Sequence, residues 1–277
     1  MKSIRCKKRI LGTEPPLIMG ILNLTPDSFY DGNRYTQEVN MLFQVEKMLN
    51  HGADIIDIGA FSSRPGAEFV TENEERKRLI FPIKRILQEF PDTIISVDTY
   101  RSSIAEEVVS EGVEMINDIS SGNLDRKMFQ TIAKLQVPYV MMHMQGTPID
   151  MQKNPVYENV VTEINSFFKD KINQLKSLGI QNIILDPGFG FGKTIKHNYT
   201  ILKHLSAFKE HQKPILVGVS RKSMLYKLLE IDSEKALNAT SIANTIAVLN
   251  GANILRVHDI KEAKEVIKIT QELESSI

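Results

Sequence analysis

The sequence predicts a single α/β domain, a (β/α)8 barrel, on three observations. Short apolar runs rich in Ile and Val recur eight times, amphipathic stretches lie between them, and 277 residues suit eight such units. The runs are LIMGILN (17–23), ADIIDIG (53–59), IISVDT (94–99), MINDIS (115–120), PYVMMH (138–143), IILDPG (183–188), ILVGVSR (215–221) and ILRVHD (254–259). Apolar almost throughout, they suit parallel strands covered on both faces. A doubly wound sheet is the competing fold, but it typically has fewer strands and leaves edges.

The intervening stretches carry helical periodicity. TQEVNMLFQVEKMLNHG ends on a glycine, as helices often do. ENEERKRLIFPIKRILQEF has apolar residues at helical spacing, with a kink expected at Pro82. YRSSIAEEVVSEG, LDRKMFQTIAKLQ, VYENVVTEINSFFKDKINQLKSLG, HNYTILKHLSAFKEH, DSEKALNATSIANTIAVLNG and IKEAKEVIKITQELE complete the alternation. No low-complexity stretch or Gly/Ser linker interrupts it. One domain over residues 1–277 is expected, with residues 1–16 as an N-terminal extension.

Composition narrows the function class. Lys plus Arg balances Asp plus Glu at 34 each, so no global field favours nucleic acid or an anionic membrane. The single cysteine, Cys6, has no internal disulfide partner, which suits a reducing cytoplasm. The basic start MKSIRCKKRILG is not followed by an apolar signal region, and no apolar run approaches the ~20 residues of a membrane span. A cytoplasmic protein is expected.

Nearly every apolar run ends on a polar or ionisable residue: Asn23, Asp98, Asn117 with Asp118, His143, Asp186, Arg221 with Lys222, and Arg256 with His258. Asn and Asp alone would serve as turn residues, but a turn does not need Arg, Lys or His. In a barrel these ends gather on the C-terminal face, where such enzymes place their active sites. Buried charge is costly unless paired, so the groups must face one another, water or a ligand.

Two motifs are excluded by their spacing. PGFGFGKT (187–194) has Pro187 where a P-loop needs glycine, and its glycines at 188, 190 and 192 do not fit GxGxxG. HExxH and CxxC zinc patterns are absent, and a lone strand-end His143 reads as a hydrogen-bonded packing residue. The remaining rim can recognise a flat heterocycle. Asp98, Asn117 and Asp186 accept and donate along an edge rich in N–H and C=O groups, Lys222 donates to a ring carbonyl, and the Arg256 guanidinium stacks on its face. Arg64, Arg256 and His258 with Asn23 form a second set suited to a polyanion such as pyrophosphate, and Mg²⁺ with its oxygen preference fits the same set.

GILNLTPDSFYDG, DIIDIGAFSSRPGAE, ISVDT, INDIS, MMHMQGTP, ILDPGFGFGK, VGVSRKSML and ILRVHD resemble the segments of bacterial dihydropteroate synthases, in the same order. The likeness runs from about Leu17 to the last helix. It implies a pterin-binding TIM barrel that condenses 6-hydroxymethyl-7,8-dihydropterin diphosphate with para-aminobenzoate in folate biosynthesis. By matching motif, Asp98, Asn117, Asp186 and Lys222 would hold the pterin, with Met142 and Arg256 on its faces. Asn23, Arg64, Arg256 and His258 would hold pyrophosphate, with Asn23 at the Mg²⁺. Ser63, Pro65, Phe191, Lys222 and Ser223 would shape the para-aminobenzoate site. Phe29 and Asp31 would lie on a closing loop, so Lys222, Asp31, Phe29 and Arg64 are the residues expected to serve catalysis.

One segment departs from the resemblance. GAFSSRPG stands where the family usually has Gly-Gly-Glu-Ser-Thr-Arg-Pro-Gly, so Phe61 lacks a carboxylate while Ser63 keeps a hydroxyl. The loop borders the expected para-aminobenzoate pocket, and the departure bears on affinity for sulfonamide analogues. A pterin-binding methyltransferase domain working with a corrinoid partner is the competing reaction, but it does not need the pyrophosphate set. A non-catalytic pterin-binding protein is the third reading, opposed by the intact Asn, Asp, Lys, Arg and His set. The family is usually dimeric, and NATSIANTIAVLNG (238–251) is apolar and small enough to serve as a homodimer surface.

Overall fold

The structure is a computed structural model that describes residues 2–24, 34–60, 70–148 and 150–276. Ten strands occur among them: β1 (Ser3–Arg5), β2 (Ile10–Gly12), β3 (Leu17–Asn23), β4 (Ile55–Gly59), β5 (Ile95–Asp98), β6 (Met115–Asp118), β7 (Tyr139–Met142), β8 (Ile183–Asp186), β9 (Leu216–Val217) and β10 (Ile254–Val257). The helices are α1 (Arg34–Asn50), α2 (Glu72–Glu89), α3 (Ser102–Ser110), α4 (Met128–Leu135), α5 (Val160–Ser177), α6 (Ile195–Lys203), α7 (Ser223–Tyr226), α8 (Leu237–Leu249) and α9 (Ile260–Ser275).

Strands β3 to β10 form one parallel sheet in the order β8-β7-β6-β5-β4-β3-β10-β9. A parallel bridge from Leu185 to Ile215, with the Leu185 N–H donating to the Pro214 carbonyl at 2.9 Å, brings the two ends together. The eight apolar runs are the eight barrel strands. The seventh is the shortest, with two residues paired, Leu216 and Val217.

Each strand is apolar on both faces for different reasons. Outward residues such as Ile18, Ile56, Val97, Ile116 and Leu185 pack under the helices. Inward residues Leu17, Met19, Ile55, Ile94, Met115, Val140, Ile184, Leu216 and Ile254 form a separate cluster inside the barrel. Two residues further along β4, β6, β8 and β10, and four further along β5, the period of two places Asp57, Asn117, Asp186, Arg256 and Asp98 on the inner side. The interior is thus an apolar floor beneath a polar mouth.

Residues before β3 have a structural task that their sequence did not announce. β1 and β2 form an antiparallel hairpin whose Ile4, Cys6 and Leu11 join the inner cluster and cover the N-terminal end of the barrel. Asn182, just before β8, exchanges hydrogen bonds with the Arg5 backbone at 2.7 and 3.4 Å. Glu114, just before β6, accepts from the Lys8 N–H at 3.0 Å.

Two helical details complete the description. α2 is a continuous helix through Pro82, capped by Thr71, whose hydroxyl accepts from the Glu74 N–H. The one-turn helix α7, directly after the seventh strand's loop, was not expected, because four residues carry no periodicity to read.

Candidate active site

The C-terminal ends of the strands deliver a connected set of charges into one mouth. At its centre is Arg256 on β10. Its Nε donates to Asp57 Oδ2 at 2.7 Å and its Nη2 to Asp98 Oδ2 at 3.4 Å. Asn117 adds a donor from β6, Nδ2 to Asp57 Oδ2 at 3.1 Å. Strand register accounts for this meeting: Asp57 pairs with Ser96, Gly59 with Asp98, and Asp98 with Asn117.

Asp186 and Lys222 complete the set from β8 and the loop after β9. Burial raises the Asp186 carboxyl above its ordinary range, against the opposing fields of Lys222 and Arg256. Burial pushes Asp98 up to about 7, although Arg256 favours its charged form, with Asp57 adding to the rise. Burial lowers the Lys222 ammonium to about 8, with Asp186 opposing and Arg256 assisting the fall. These mutual fields place the five groups in one electrostatic neighbourhood.

Two acceptors in this neighbourhood are left over. Among the described residues, Asp57 Oδ1 and Asp98 Oδ1 are buried and have no hydrogen-bond partner. A buried carboxylate oxygen without a donor costs on the order of 1–3 kcal/mol. Such a cost is met when a ligand supplies the donor.

The β8–α6 loop, Pro187–Thr194, forms one wall. The Lys222 ammonium donates to the Phe189 carbonyl and lies 4.7 Å from the centre of the Phe191 ring. Gly188 has φ +71°, and a methyl there would collide with the His143 carbonyl oxygen. The Gly188 N–H donates to Asp186 Oδ1 at 2.7 Å. The glycines of PGFGFGKT therefore serve close backbone packing and a tight turn beside Lys222. Met142, buried at the end of β7, stands in register with Asp186. Ser223 opens α7 next to Lys222.

The remaining expected residues lie as follows. Asn23 ends β3, half-buried, in register with Gly59. His258 follows β10, and its Nδ1 lies 3.0 Å from Ser220 Oγ, whose oxygen also accepts the His258 N–H at 3.2 Å. Phe29, Asp31, Phe61, Ser63, Arg64 and Pro65 lie outside the described residues.

Three strand-end residues do not join the mouth. Asp118, one residue after Asn117, faces the other side of the sheet. There it accepts from Tyr139 Oη at 2.6 Å, from Ser120 N and Oγ at 2.7 Å each, and from Gly122 N at 2.8 Å. Arg221 turns to Asp259, with Nε–Oδ2 at 2.9 Å and Nη2–Oδ1 at 2.7 Å. His143 Nδ1 lies 3.0 Å from the ammonium of buried Lys193. Burial and Lys193 lower the His143 ring to about 2, so it is neutral and Nδ1 accepts.

Asp57 is the group that sequence reasoning missed. It has no exposed surface and two donors converge on it. Its signal was present in ADIIDIG, where an acid interrupts an apolar run in mid-strand rather than ending it.

A cavity of about 870 Å³ opens at the opposite, N-terminal end, among Lys2, Glu14, Lys209, Lys213 and Glu274. Two of its ammonium groups already donate to carbonyls, Lys2 to Lys213 at 2.8 Å and Lys213 to Gln181 at 2.6 Å. The converging charge is at the other mouth.

The sequence profile of the family described as pterin binding enzyme matches residues 19–258. The chain is 42% identical over 265 residues to the dihydropteroate synthase of Haemophilus influenzae, covering 95% of this chain and 96% of that protein. The chain belongs to the pterin binding enzymes, in their dihydropteroate synthase branch. The structure of Yersinia pestis dihydropteroate synthase in complex with a sulfonamide drug superposes with a TM-score of 0.93 at 39% identity, covering 99% of this chain and all of that one. Dihydropteroate synthase from Xanthomonas albilineans in complex with 7,8-dihydropteroate gives a TM-score of 0.89 at 32% identity, covering 99% and 100%. The pterin binding enzyme profile thus takes in every barrel strand except the first two residues of β3.

The Asp57–Arg256 pair gives a direct test. Replacing Asp57 with Ala leaves a guanidinium and an amide in the mouth without their shared acceptor, while Asp98 still offers Arg256 one partner. A loss of about 3 kcal/mol in unfolding free energy is expected, the low end for breaking a buried pair. Urea denaturation measures it; an unchanged midpoint contradicts the pairing.

Proposed function

We propose that the chain is a dihydropteroate synthase. It condenses 6-hydroxymethyl-7,8-dihydropterin diphosphate with para-aminobenzoate to give 7,8-dihydropteroate and pyrophosphate. The observation that carries the proposal is the buried Asp98 Oδ1, without a donor among the described residues, in a mouth shared with Asp57, Asn117, Asp186, Lys222 and Arg256. The N–H-rich edge of a 2-amino-4-oxopyrimidine ring supplies the missing donors. Asp98, Asn117 and Asp186 bind that edge, Lys222 donates to the ring carbonyl, and Met142 and Arg256 lie against its faces.

The reaction suits this equipment. The methylene C–O bond breaks, pyrophosphate leaves with the electron pair, and a resonance-stabilised pterin cation remains. The neutral arylamine nitrogen then forms the C–N bond and gives up a proton to solvent or to departing pyrophosphate. No nucleophilic Ser or Cys is required, and the amine's free lone pair makes a strong base unnecessary. Positioning and preorganised charge lower such a barrier. Arg64, Arg256, His258 and Asn23 receive pyrophosphate, and Asp31 offers negative charge near the cation. Phe29 on its loop helps exclude water, which would otherwise capture the cation. Ser63, Pro65, Phe191, Lys222 and Ser223 admit para-aminobenzoate.

Mg²⁺ fits this reading as an ion carried chiefly by the substrate. Among the described residues no group of three or more His, Cys, Asp or Glu side chains is arranged to hold a metal. A single amide oxygen from Asn23 suits an octahedral ion that keeps waters and phosphate oxygens. When bound, the ion neutralises charge on the diphosphate. A methyltransferase reading has less support, because Asn23 and His258 at the same mouth have no task in it.

We also propose a homodimer through α8 and α9, which pack together and expose Ile242, Ile246, Leu249, Ile269 and Leu273. A cytoplasmic location accords with the unpaired, buried Cys6. No helix among the described residues is long and apolar enough to cross a membrane.

Pyrophosphate release that requires both substrates and Mg²⁺ is the expected activity, measured with purified protein; no release sinks the assignment. Lys222→Ala is expected to lower turnover at least about a hundredfold with an unchanged circular dichroism spectrum. The pH profile of kcat/KM follows from the two shifted groups. Asp98 acts as an anion, so activity falls as pH drops through about 7; Lys222 acts as a cation, so activity falls again as pH rises through about 8. Lys222→Arg is expected to remove the alkaline fall from whatever activity it keeps. Light scattering is expected to give twice the 31.4 kDa chain mass, and Ile246→Asp to halve it.

A further inference from the structure

PGFGFGKT contains a lysine, Lys193, that the proposed reaction does not use. Lys193 is 3% exposed, and its ammonium makes three contacts. They are His143 Nδ1 at 3.0 Å, the His143 carbonyl at 3.2 Å and the Phe191 carbonyl at 2.9 Å. An ammonium so far from water is costly unless its protons are used, and here all three have acceptors.

These contacts tie two elements together. His143 follows β7, where its ring meets Phe167 edge-on at 4.9 Å. Phe191 is on the β8–α6 loop. Its carbonyl is held by Lys193 while its ring lies 4.7 Å from the Lys222 ammonium. Two residues earlier, the Phe189 carbonyl accepts from the same Lys222 ammonium. A second tether acts further along, where Tyr157 Oη donates to the Gly192 carbonyl at 2.8 Å. Gly190 N–H donates to Asn198 Oδ1 at 2.7 Å. The loop is fixed from behind, and its front surface is what Lys222 touches.

We infer that Lys193 is a positioning residue: it clamps the β8–α6 loop to the end of β7, and so holds the Phe191 ring in place against the arylamine substrate. The inference rests on the function proposed above and extends it to a residue that touches neither substrate. A side chain whose only task was filling space would not need three acceptors on two elements. Two glycines earlier in the loop serve the same packing. Gly188 lies against the His143 carbonyl, and Gly190 lies 3.3 Å, measured from an added Cβ, from the Lys222 side chain.

The test is a double-mutant cycle on the purified enzyme. Lys193→Met is expected to raise KM for para-aminobenzoate about tenfold, the loss of a charged hydrogen bond's worth of alignment, and to leave KM for the pterin diphosphate within about twofold. Because Lys193 acts through Phe191, adding Phe191→Ala is expected to cost no more than Phe191→Ala alone. Unchanged KM values, equal rises for both substrates, or effects that multiply in the double variant overturn the inference. If Lys193→Met does not fold, Lys193→Gln, which keeps one donor, is expected to show the same selectivity at smaller size. Amide hydrogen exchange over residues 188–192 gives a readout independent of turnover. It is expected to quicken in Lys193→Met with the barrel strands unaltered, and an unchanged rate overturns the clamp. Absence of activity in the wild-type protein counts against the function, while the exchange measurement still decides the clamp.

Discussion

The burial of opposite charges in one barrel mouth is the constraint on which the site depends. Arg256 lies between Asp57 and Asp98, and Asn117 supports Asp57 from the neighbouring strand. Each of these groups would be costly if buried alone. They are tolerable together only while β4, β5, β6 and β10 keep their mutual register, since a slip of one residue turns every side chain to the other face. The chemistry and the register therefore enforce each other. Under them the apolar floor of Met19, Ile55, Met115, Val140, Ile184 and Ile254 leaves no room for the charges to sink.

The pairing also explains how charge is kept available. Neither acid is fully satisfied by donors among the described residues, so each retains one buried oxygen. Lys222 is held by a carbonyl and an aromatic face rather than by direct contact with a carboxylate. A neutral carbonyl and a π face leave the ammonium's field uncancelled, whereas a close carboxylate would have neutralised it. The mouth is organised to meet a ligand that carries both hydrogen-bond donors and negative charge.

Much of this was legible in the chain. The eight apolar runs became the eight barrel strands because strands covered on both faces carry an unbroken apolar signature. Their polar endings were legible as a class but not one by one. Asn117 and Asp118 are neighbours in sequence, yet one enters the mouth and the other is bound by Tyr139 and Ser120 behind the sheet. Which of two adjacent residues faces inward depends on register, and register is set by partners far away in sequence. Arg221 left the mouth for Asp259 for the same reason. Asp57 was passed over because it stands two residues before its strand's end, where a polar residue is masked by Ile on both sides. The eight-residue glycine motif showed what it was not, and its use became visible only when His143 and Lys222 were seen on either side of it.

The amino-terminal hairpin has a consequence for the order in which the molecule is completed. Ile4, Cys6 and Leu11 precede every barrel strand in sequence, yet they share one buried cluster with Leu216 and Ile254 on the seventh and eighth strands. Until the eighth strand closes the ring, the stopper has no vessel. Part of the hairpin's burial therefore depends on contacts of long sequence separation, which must close long loops before they form.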